Sequence, residues 1–278
     1  MIYSDLHTHT NESDGEHTPE ELMRFAKDTG LDYIAVTDHD NCNGIDNARK
    51  EAERLGINVI TGIEFATAED RHQHVLGYAF DKDSPPMKNI CDTLIKSRDE
   101  RKYRIIDYLK DYGFDISLDE VEAKAGGIVI SRPHFAQVMV DKGYVESVPE
   151  AFKKYLDTDE YMKIERYKAT AEESIRVIIE SGGHAVLAHP IQLKYDDEKL
   201  FNHLKKLKEY GLFGLECHYS THSPNDVKKY LEMAKKLDLL PTGGSDFHGE
   251  HPKPNIHLTR YTTDIEALTK NCYQEIKL

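Results

Sequence analysis

The stretch SDLHTHTNESDG, residues 4–15, decides how the rest of this 278-residue chain is interpreted. Residues 2–9 are predicted to form a strand, and side chains two positions apart on a strand share a face. His7 and His9 can therefore point at one metal ion. Asp14 follows the strand, on the loop before a predicted helix that starts at Thr18, so it can reach a different ion. The stretch predicts a strand whose end carries metal ligands.

The composition is that of a globular enzyme, with 39% hydrophobic and 31% charged residues. The net charge of −14 argues against nonspecific electrostatic binding of duplex DNA. It leaves a phosphorylated substrate open, because bound divalent ions make a pocket locally positive. No apolar run is long enough for a membrane span. Four scattered cysteines without a CxxC pair, and a start without a signal-peptide pattern, predict a cytoplasmic protein.

Strand and helix patterns alternate through the first third of the chain. Thr18 is a predicted helix cap, Gly30 ends that helix, and residues 33–37 form an apolar strand. Further strands are predicted at 58–66 and 73–80, and the alternation resumes after residue 169. Such alternation predicts an α/β fold with a mainly parallel sheet, and the length suits a single barrel.

Residues 86–168 are predicted to be helical nearly throughout. We interpret them as a helical insertion on a barrel domain formed by residues 1–85 and 169–278. The insertion contains the run KSRDERKYR, Lys96 to Arg104, which is basic and aromatic within an acidic chain. Such a run is either a solvated helix face or a contact for a phosphorylated substrate.

Histidine or carboxylate residues stand at one strand end after another. They are Asp38-His39, Glu64 on the third strand, His74 at the start of the fourth, His189, Asp246 and His248. The carboxyl ends of barrel strands converge on one face, where active sites form. This mixture of imidazole and carboxylate suits Zn, Mn or Fe. One catalytic zinc takes about three protein ligands, so the sequence predicts two or three divalent ions, with Glu64 bridging.

Not every histidine belongs to this prediction. His72 and His74 compete for one position, and we favour His74 because it directly precedes the apolar strand. His184 is placed at the opposite end of the barrel. The remaining solitary histidines are interpreted as surface or core residues: His17, His203, His251 and His257.

The triplet Arg132-Pro133-His134 is predicted to open a helix behind Ser131. A helix N-terminus favours anions, and arginine binds phosphate through two nitrogens. Arg132 is therefore a candidate for holding a substrate phosphate, and His134 is placed within reach of the metals. The pairs Gly126-Gly127 and Gly243-Gly244 lack the Gly-Lys-Ser/Thr that follows in a phosphate loop.

Two further histidines are candidates for protonating the leaving group. These are His218, on a strand that reaches the active face, and His222, which follows that strand. Glu216 shares a strand face with His218. Its role is left open between packing and orienting the substrate.

The segments DLHTHTNESDG, VTDHD, the isolated Glu64, HVLGY, RPH, LAHP and GSDFH, in this order, resemble the motif series of the PHP (polymerase and histidinol phosphatase) family. The resemblance implies a distorted (β/α)7 barrel with a trinuclear metal site. The ligands that it implies are His7, His9, Asp14, His39, Glu64, His74, His134, His189, Asp246 and His248.

Within that family, the helical insertion followed by RPH and GGHAVLAHP resembles phosphoesterases that act on nucleoside 3′,5′-bisphosphates. Some of these also trim short RNA from the 5′ end. The resemblance implies that Arg132, with one basic residue of the insertion, holds the phosphate that is not cleaved.

The sequence therefore predicts a metal-dependent phosphoesterase, with a small phosphorylated nucleotide or RNA end as its partner and no membrane. Its expected mechanism is in-line attack on phosphorus by a hydroxide that bridges two ions. One alternative is a histidinol phosphatase, whose cationic substrate tail would require acidic surroundings. Another is a metal-binding accessory module without catalysis, and a generic amidohydrolase is a third.

Overall fold

The computed structural model describes residues 2–125 and 130–278, so Gly126-Gly127 lie outside the described residues. The strands are β1 Ser4–Thr8, β2 Tyr33–Val36, β3 Asn58–Ala66, β4 His74–Tyr78, β5 His184–Leu187, β6 Gly214–Tyr219 and β7 Leu240–Gly244. The helices are α1 Pro19–Thr29, α2 Ile45–Leu55, α3 Pro85–Asp111, α4 Leu118–Ala125, α5 Arg132–Asp141, α6 Val148–Ala151, α7 Asp159–Met162, α8 Ala171–Glu180, α9 Asp197–Glu209, α10 Pro224–Leu237 and α11 Ile265–Thr269.

The seven strands form one sheet in chain order, and its two edges meet. The backbone N–H of Ser245 donates to the Asp5 carboxylate at 2.8 Å. The N–H of Asp246 donates to the carbonyl of His7 at 2.7 Å, and Thr8 forms a parallel bridge with Phe247. These contacts nearly close the sheet into a seven-stranded barrel, which confirms the predicted α/β barrel.

One strand runs against the others. β1, β2 and β3 are parallel, and so are β5, β6 and β7, whereas β4 is antiparallel to both of its neighbours. Only residues 67–73 connect β3 to β4. A parallel crossover needs a dozen or more residues, so this short connection makes a hairpin. The mainly parallel sheet is confirmed, and the reversal of β4 is a feature that the sequence pattern did not reveal.

Local sequence determines the first barrel helix. Thr18 caps α1 by accepting from the N–H of Glu21, and the Glu21 side chain accepts from the N–H of Thr18 in return. Gly30 ends the helix in the left-handed conformation, with φ +78°. The apolar side chains Leu22, Met23 and Ala26 are buried against the sheet. These caps hold the loop of residues 9–17 at the carboxyl end of β1.

The helical segment after β4 has an apolar cluster of its own. The first half of α3 buries Met87 and Leu94 with the barrel core. Its second half buries Ile105 and Leu109 with residues of α4 to α7. α3 thus joins two apolar clusters, while the assignment of residues 86–168 as an insertion stays a prediction. Within the described residues, none of the helices combines the length and apolar character of a membrane span.

Candidate metal centre and phosphate pocket

Eight of the ten predicted ligands gather in three groups at one end of the barrel. Within each group, the candidate ligand atoms lie within 4.8 Å of one another. The groups are His7, His9, Glu64 and Asp246; His39, Glu64 and His74; and His9, Asp14, His39 and His248. Because Glu64, His9 and His39 each belong to two groups, the three form one continuous cluster, which we call the histidine–carboxylate cluster.

Glu64 lies at the centre of this cluster, on β3, and its side chain is 1% exposed. Five histidine ring nitrogens surround its carboxylate: His74 Nδ1 at 2.8 Å, His189 Nε2 at 2.9 Å, His39 Nδ1 at 3.1 Å, His9 Nε2 at 3.2 Å and His7 Nε2 at 3.3 Å. Burial opposes ionisation of Glu64, but the imidazoles, led by His39, hold the pKa of Glu64 well below its ordinary value. The charged carboxylate thus lies at the centre of the candidate ligand atoms.

The reversal of β4 explains how His74 reaches Glu64. His74 is the first residue of β4 and pairs with Ala66, the last residue of β3. Because β4 runs against β3, its start lies at the end of the barrel where the parallel strands finish. The structure therefore brings His74 to the cluster, whereas His72 lies outside the three groups and accepts a hydrogen bond from Arg71 at 3.0 Å.

Glu216 orients one of the cluster histidines. Its Oε1 lies 3.0 Å from His7 Nδ1, and its Oε2 accepts from the backbone N–H of His189 at 2.6 Å. A proton on His7 Nδ1 leaves Nε2 with its lone pair directed at the cluster. Carboxylates behind metal-bound histidines fix the ring in this way. This geometry indicates a role other than the two left open for Glu216, because the group that it orients is His7 and not the substrate.

A second pair of contacts orients Asp246 and His248. The Oδ2 of Asp246 accepts from Tyr219 Oη at 2.8 Å and from Lys253 Nζ at 2.6 Å. Its Oδ1 lies 3.4 Å from His7 Nε2 and 3.3 Å from His9 Nε2. The Nδ1 of His248 lies 2.9 Å from the Asp246 carbonyl, so a proton there leaves Nε2 facing Asp14 Oδ1 at 3.3 Å. Each residue presents one free ligand atom to the cluster.

The unpartnered atoms of the cluster test whether divalent ions fit it. Among the described residues, the buried side-chain atoms without a hydrogen-bond partner include His7 Nε2, His9 Nδ1 and Nε2, Asp14 Oδ1 and His39 Nδ1. A buried polar atom without a partner costs about 1–3 kcal/mol. Imidazole nitrogens and carboxylate oxygens are ligands that Mn, Fe and Zn accept. The donor set therefore fits divalent ions.

His134 lies apart from the three groups, although it was expected among the ligands. It stands in the first turn of α5, and the backbone N–H of Ser131 donates to its Nδ1 at 3.1 Å. Burial lowers the pKa of His134, which favours the neutral ring. A neutral ring whose Nδ1 accepts carries its proton on Nε2, and that nitrogen is then a donor. In this arrangement His134 is able to donate a hydrogen bond and unable to coordinate a metal.

The two leaving-group candidates belong to none of the three groups. The Nδ1 of His222 bonds to the carbonyl of Cys217 at 2.9 Å, and its ring contacts Tyr219 and Tyr230. His218 follows an irregularity in the β6–β7 pairing, and its ring lies 6.2 Å from that of Tyr261. Within the described part of the chain, neither ring bonds to a cluster residue, and their role as leaving-group acids stays a prediction.

The solitary histidines lie outside the histidine–carboxylate cluster. His17 Nε2 lies 2.9 Å from Glu250, and His251 Nδ1 lies 2.5 Å from Glu16, on an exposed part of the surface. The ring of His184 stacks on Phe213 at the start of β5, away from the cluster. His203 and His257 are in none of the three groups.

A cavity of about 680 Å³ adjoins the cluster, and Asp14, His39 and His74 form part of its wall. Seven cationic side chains line the same cavity: Arg71, Arg98, Arg101, Lys102, Arg132, Arg166 and Lys168. The lining carboxylates are Asp14, Glu69, Asp70 and Glu165. The chain has a net charge of −14, yet cations outnumber carboxylates in the lining of this cavity. We call it the cationic cavity.

Arg132 lies in this cavity, but its guanidinium already has partners. Its Nη1 lies 2.6 Å from Asp157 Oδ1 and 3.4 Å from the carbonyl of Leu156, and the group stacks over Phe152. Arg71 approaches the same Asp157 oxygen at 3.3 Å. The predicted phosphate contact through Arg132 therefore requires an exchange of partners.

Asp40 joins two arginines of the cavity, and sequence reasoning missed it. Its carboxylate is buried and accepts from Arg98 Nε at 2.8 Å and Nη2 at 2.5 Å, and from Arg166 Nη2 at 3.1 Å. Burial opposes the charge, but the two arginines hold the pKa of Asp40 well below its ordinary value. One carboxylate thus connects the loop after β2 to α3 and to the segment before α8. Its place at the end of VTDHD was the available clue.

Comparison with known proteins agrees with this geometry. The family model described as "PHP domain" matches residues 5–217. The "5'-3' exoribonuclease Rnm" of Escherichia coli is 34% identical over 263 residues, covering 94% of this chain and 89% of that protein. The "3',5'-nucleoside bisphosphate phosphatase" of Chromobacterium violaceum is 28% identical over 279 residues, covering 100% of this chain and 97% of that protein.

Among solved structures, one from Bifidobacterium adolescentis, described as a metal-dependent phosphoesterase, superimposes with a TM-score of 0.84. It is 30% identical, and the match covers 99% of this chain and 97% of that one. The chain is thus a metal-dependent phosphoester hydrolase. It belongs to the PHP domain family.

Proposed function

We propose that this protein removes the 3′-phosphate from nucleoside 3′,5′-bisphosphates and also acts on 5′-phosphorylated short RNA. The observation that carries the proposal is that one cavity is lined both by cluster residues and by seven cationic side chains. A substrate with two phosphates can occupy both ends of such a cavity. Relatives named as a bisphosphate phosphatase and as an exoribonuclease support the same substrate class.

In the proposed reaction, ten side chains are assigned to hold two or three divalent ions or to support them. They are His7, His9, Asp14, His39, Glu64, His74, His189, Asp246 and His248 as ligands, and Glu216 as the residue that orients His7. Bound divalent ions would lower the pKa of water and neutralise charge on the phosphoryl oxygens. Mn, Fe and Zn all suit this donor set.

The chain's own residues would orient the substrate around this centre. His134, with its proton on Nε2, is assigned to donate a hydrogen bond to the substrate. It lies close enough to Asp14 for the charge of that carboxylate to raise the pKa of the His134 ring against the effect of burial. The cations of the cavity would hold the remainder of the substrate and would repel substrates that carry a cationic group, such as histidinol phosphate. Tyr219 and Lys253 would keep the Asp246 carboxylate in its ligand orientation.

The test is a phosphate-release assay on the metal-loaded protein with four substrates. They are adenosine 3′,5′-bisphosphate, adenosine 3′-phosphate, a 5′-phosphorylated trinucleotide RNA and histidinol phosphate. We expect the highest kcat/KM with the bisphosphate, and loss of turnover after chelation or with His9→Ala. A preference for histidinol phosphate, or activity that survives chelation, would overturn the proposal.

The alternatives make different demands on the cavity. A histidinol phosphatase must accept a cationic tail, which seven lining cations would repel. An accessory module without catalysis would bind metal yet release no phosphate from any of the four substrates. The cytoplasmic location stays a prediction.

A further inference from the structure

We propose that Gln192 is a positioning residue for the hydrolysis, because it acts through Tyr219 on the Asp246 carboxylate. Gln192 lies outside every sequence motif, two residues after the LAHP segment. The inference deepens the proposed function and rests on it, because it requires Asp246 to be a metal ligand. It does not depend on which phosphoester is cleaved.

Two hydrogen bonds in series connect the cationic cavity to Asp246. Gln192 lines the cavity, and its Nε2 lies 2.9 Å from Tyr219 Oη. Tyr219 Oη in turn lies 2.8 Å from Asp246 Oδ2. Tyr219 is 7% exposed, so water has little access to compete for these bonds. A side chain of the cavity wall is thus two hydrogen bonds away from a candidate metal ligand.

The direction of both hydrogen bonds follows from what each group can donate. An ionised carboxylate only accepts, and Asp246 Oδ2 already accepts from Lys253 Nζ at 2.6 Å. The Tyr219 hydroxyl has one proton and donates it to Asp246, so its oxygen can only accept from Gln192. The amide NH2 of Gln192 is therefore the donor. Replacing that amide by an apolar group would leave the tyrosine oxygen without its donor.

The turn that carries Gln192 begins at another candidate ligand. Pro190–Leu193 is a short 3-10 helix, and the backbone N–H of Gln192 donates to the His189 carbonyl at 2.9 Å. His189 has φ +25°, a conformation that a residue other than glycine keeps only where its surroundings fix it. The His189 ring also lies edge-on to Tyr219, with ring centres 5.6 Å apart. Backbone and side-chain contacts together hold Gln192 beside the histidine–carboxylate cluster.

Asp246 has two supports, which reach the same oxygen from different parts of the fold. Lys253 comes from the loop after β7, with a side chain that is 35% exposed, whereas Tyr219 comes from β6. The other oxygen, Oδ1, stays free to face the cluster histidines. Outer partners of this kind fix the orientation of a metal ligand. Gln192 makes the tyrosine support depend on the wall of the cavity that receives the substrate.

The experiment compares Gln192→Met with Gln137→Met, which makes the same chemical change elsewhere. Gln137 lies on α5, is partly buried and is not among the described residues that line the cavity. Zn²⁺ is titrated calorimetrically into the chelated proteins. We expect Gln192→Met to bind Zn²⁺ about 3- to 10-fold more weakly than wild type, the size of one lost hydrogen bond. Tyr219→Phe should bind about 10- to 100-fold more weakly, and Gln137→Met should bind like wild type.

A double substitution separates positioning from packing. In a protein that already carries Tyr219→Phe, Gln192→Met should change the Zn²⁺ affinity less than about twofold, because the contact through which Gln192 acts is gone. In the Lys253→Met background the effect of Gln192→Met should remain, because the tyrosine link is intact. An equal loss of affinity in all backgrounds would assign Gln192 to packing and overturn the proposal.

Turnover gives a second readout, with p-nitrophenyl phosphate as a general phosphoester and Zn²⁺ in excess. We expect kcat of Gln192→Met to fall about 3- to 10-fold while KM stays within about twofold, because ligand geometry changes and substrate contacts do not. A raised KM with unchanged Zn²⁺ affinity would make Gln192 a substrate contact and would overturn its positioning role.

The outcomes distinguish failure of this inference from failure of the proposed function. If Gln192→Met behaves as expected but adenosine 3′,5′-bisphosphate is not hydrolysed, the proposed substrate fails and the positioning role stands. If Asp246→Asn binds Zn²⁺ as tightly as wild type, Asp246 is not a ligand, and the ligand assignment and the inference fail together. If Asp246→Asn binds weakly but Gln192→Met binds like wild type, the inference alone is refuted.

Discussion

Replacing Asp40 by Asn tests how the cationic cavity is held together. The substitution keeps the shape of the side chain and removes the one charge that faces both Arg98 and Arg166. These arginine side chains are 12% and 5% exposed, so both remain as buried cations without a counter-ion. Removing one partner of a buried ion pair costs about 3–5 kcal/mol. We expect Asp40→Asn to lose about that much stability.

The assay is thermal unfolding of the chelated protein, followed by circular dichroism. For large domains, about 1 kcal/mol shifts Tm by roughly 2–4 °C, so we expect a fall of several degrees at least. The matched control is Asp46→Asn, which removes an exposed carboxylate 2.9 Å from Lys82. Exposed pairs contribute about 0–1 kcal/mol, so this control should melt close to the wild type.

The pH dependence checks that charge is the cause. The folded-state pKa of Asp40 lies below its ordinary value, so its contribution is present above about pH 4 and is lost as the pH falls through the folded-state pKa. The gap between wild type and Asp40→Asn should therefore narrow in acid. Adding Arg98→Met to Asp40→Asn should recover part of the loss. An Asp40→Asn protein that unfolds within 1 °C of the control would refute the reasoning.

Four other outcomes are expected. Adding Mn²⁺ or Zn²⁺ to the chelated protein should raise its stability, by about 2.7 kcal/mol at a hundredfold excess over Kd, because the ions satisfy buried ligand atoms; an unchanged Tm would contradict the metal assignment. Glu216→Gln should weaken metal binding about 10- to 100-fold in competition with a chelating dye, because His7 loses its charged partner, and affinity equal to wild type would exclude that role. In denaturant unfolding at pH 7, Lys168→Met should be more stable than wild type by about 1–3 kcal/mol, because a folded-state pKa of about 8 means that folding disfavours the charged lysine. This difference in stability should shrink as the pH rises from 8 past 10.5, where the lysine is neutral in both states. A variant less stable than wild type would contradict this prediction. Gly244→Ala should reduce metal content measured by mass spectrometry, because the added methyl group would meet the His7 side chain and lie 2.7 Å from Glu216 Oε1, whereas a fully loaded variant would show that the site tolerates it.

The sequence predicted the ligand positions best where the fold itself determines which residues lie close together. The strand ends of a barrel converge, so His7, His39, His189 and Asp246 could be placed on one face before any coordinates. The predicted barrel, family and metal-dependent chemistry are confirmed. The particular ligand set and substrate stay proposals. His134 shows the limit of this reasoning, because one backbone hydrogen bond to its Nδ1 changes what its ring can do.

The cationic cavity could not be read from the sequence for a physical reason. Arg166 and Lys168 lie in an irregular segment, where no periodicity indicates which way a side chain points. The contact between Asp40 and Arg166 joins residues 126 positions apart. The direction of β4 was also hidden, because an apolar strand has the same pattern whichever way it runs. Only the short connection before it favours a hairpin.

The closure of the barrel between its first and last strands has a consequence for the order of events during synthesis. The carboxylate of Asp5 accepts from the N–H of Ser245, 240 positions later, and Asp246 and His248 follow directly. During translation, His7 and His9 therefore emerge from the ribosome long before the residues that complete their cluster. Until then, the nascent chain offers only a partial set of ligands, and β1 has an open edge. We expect metal uptake to follow translation of β7, so a stalled chain ending before Ser245 should bind metal weakly and depend on chaperones.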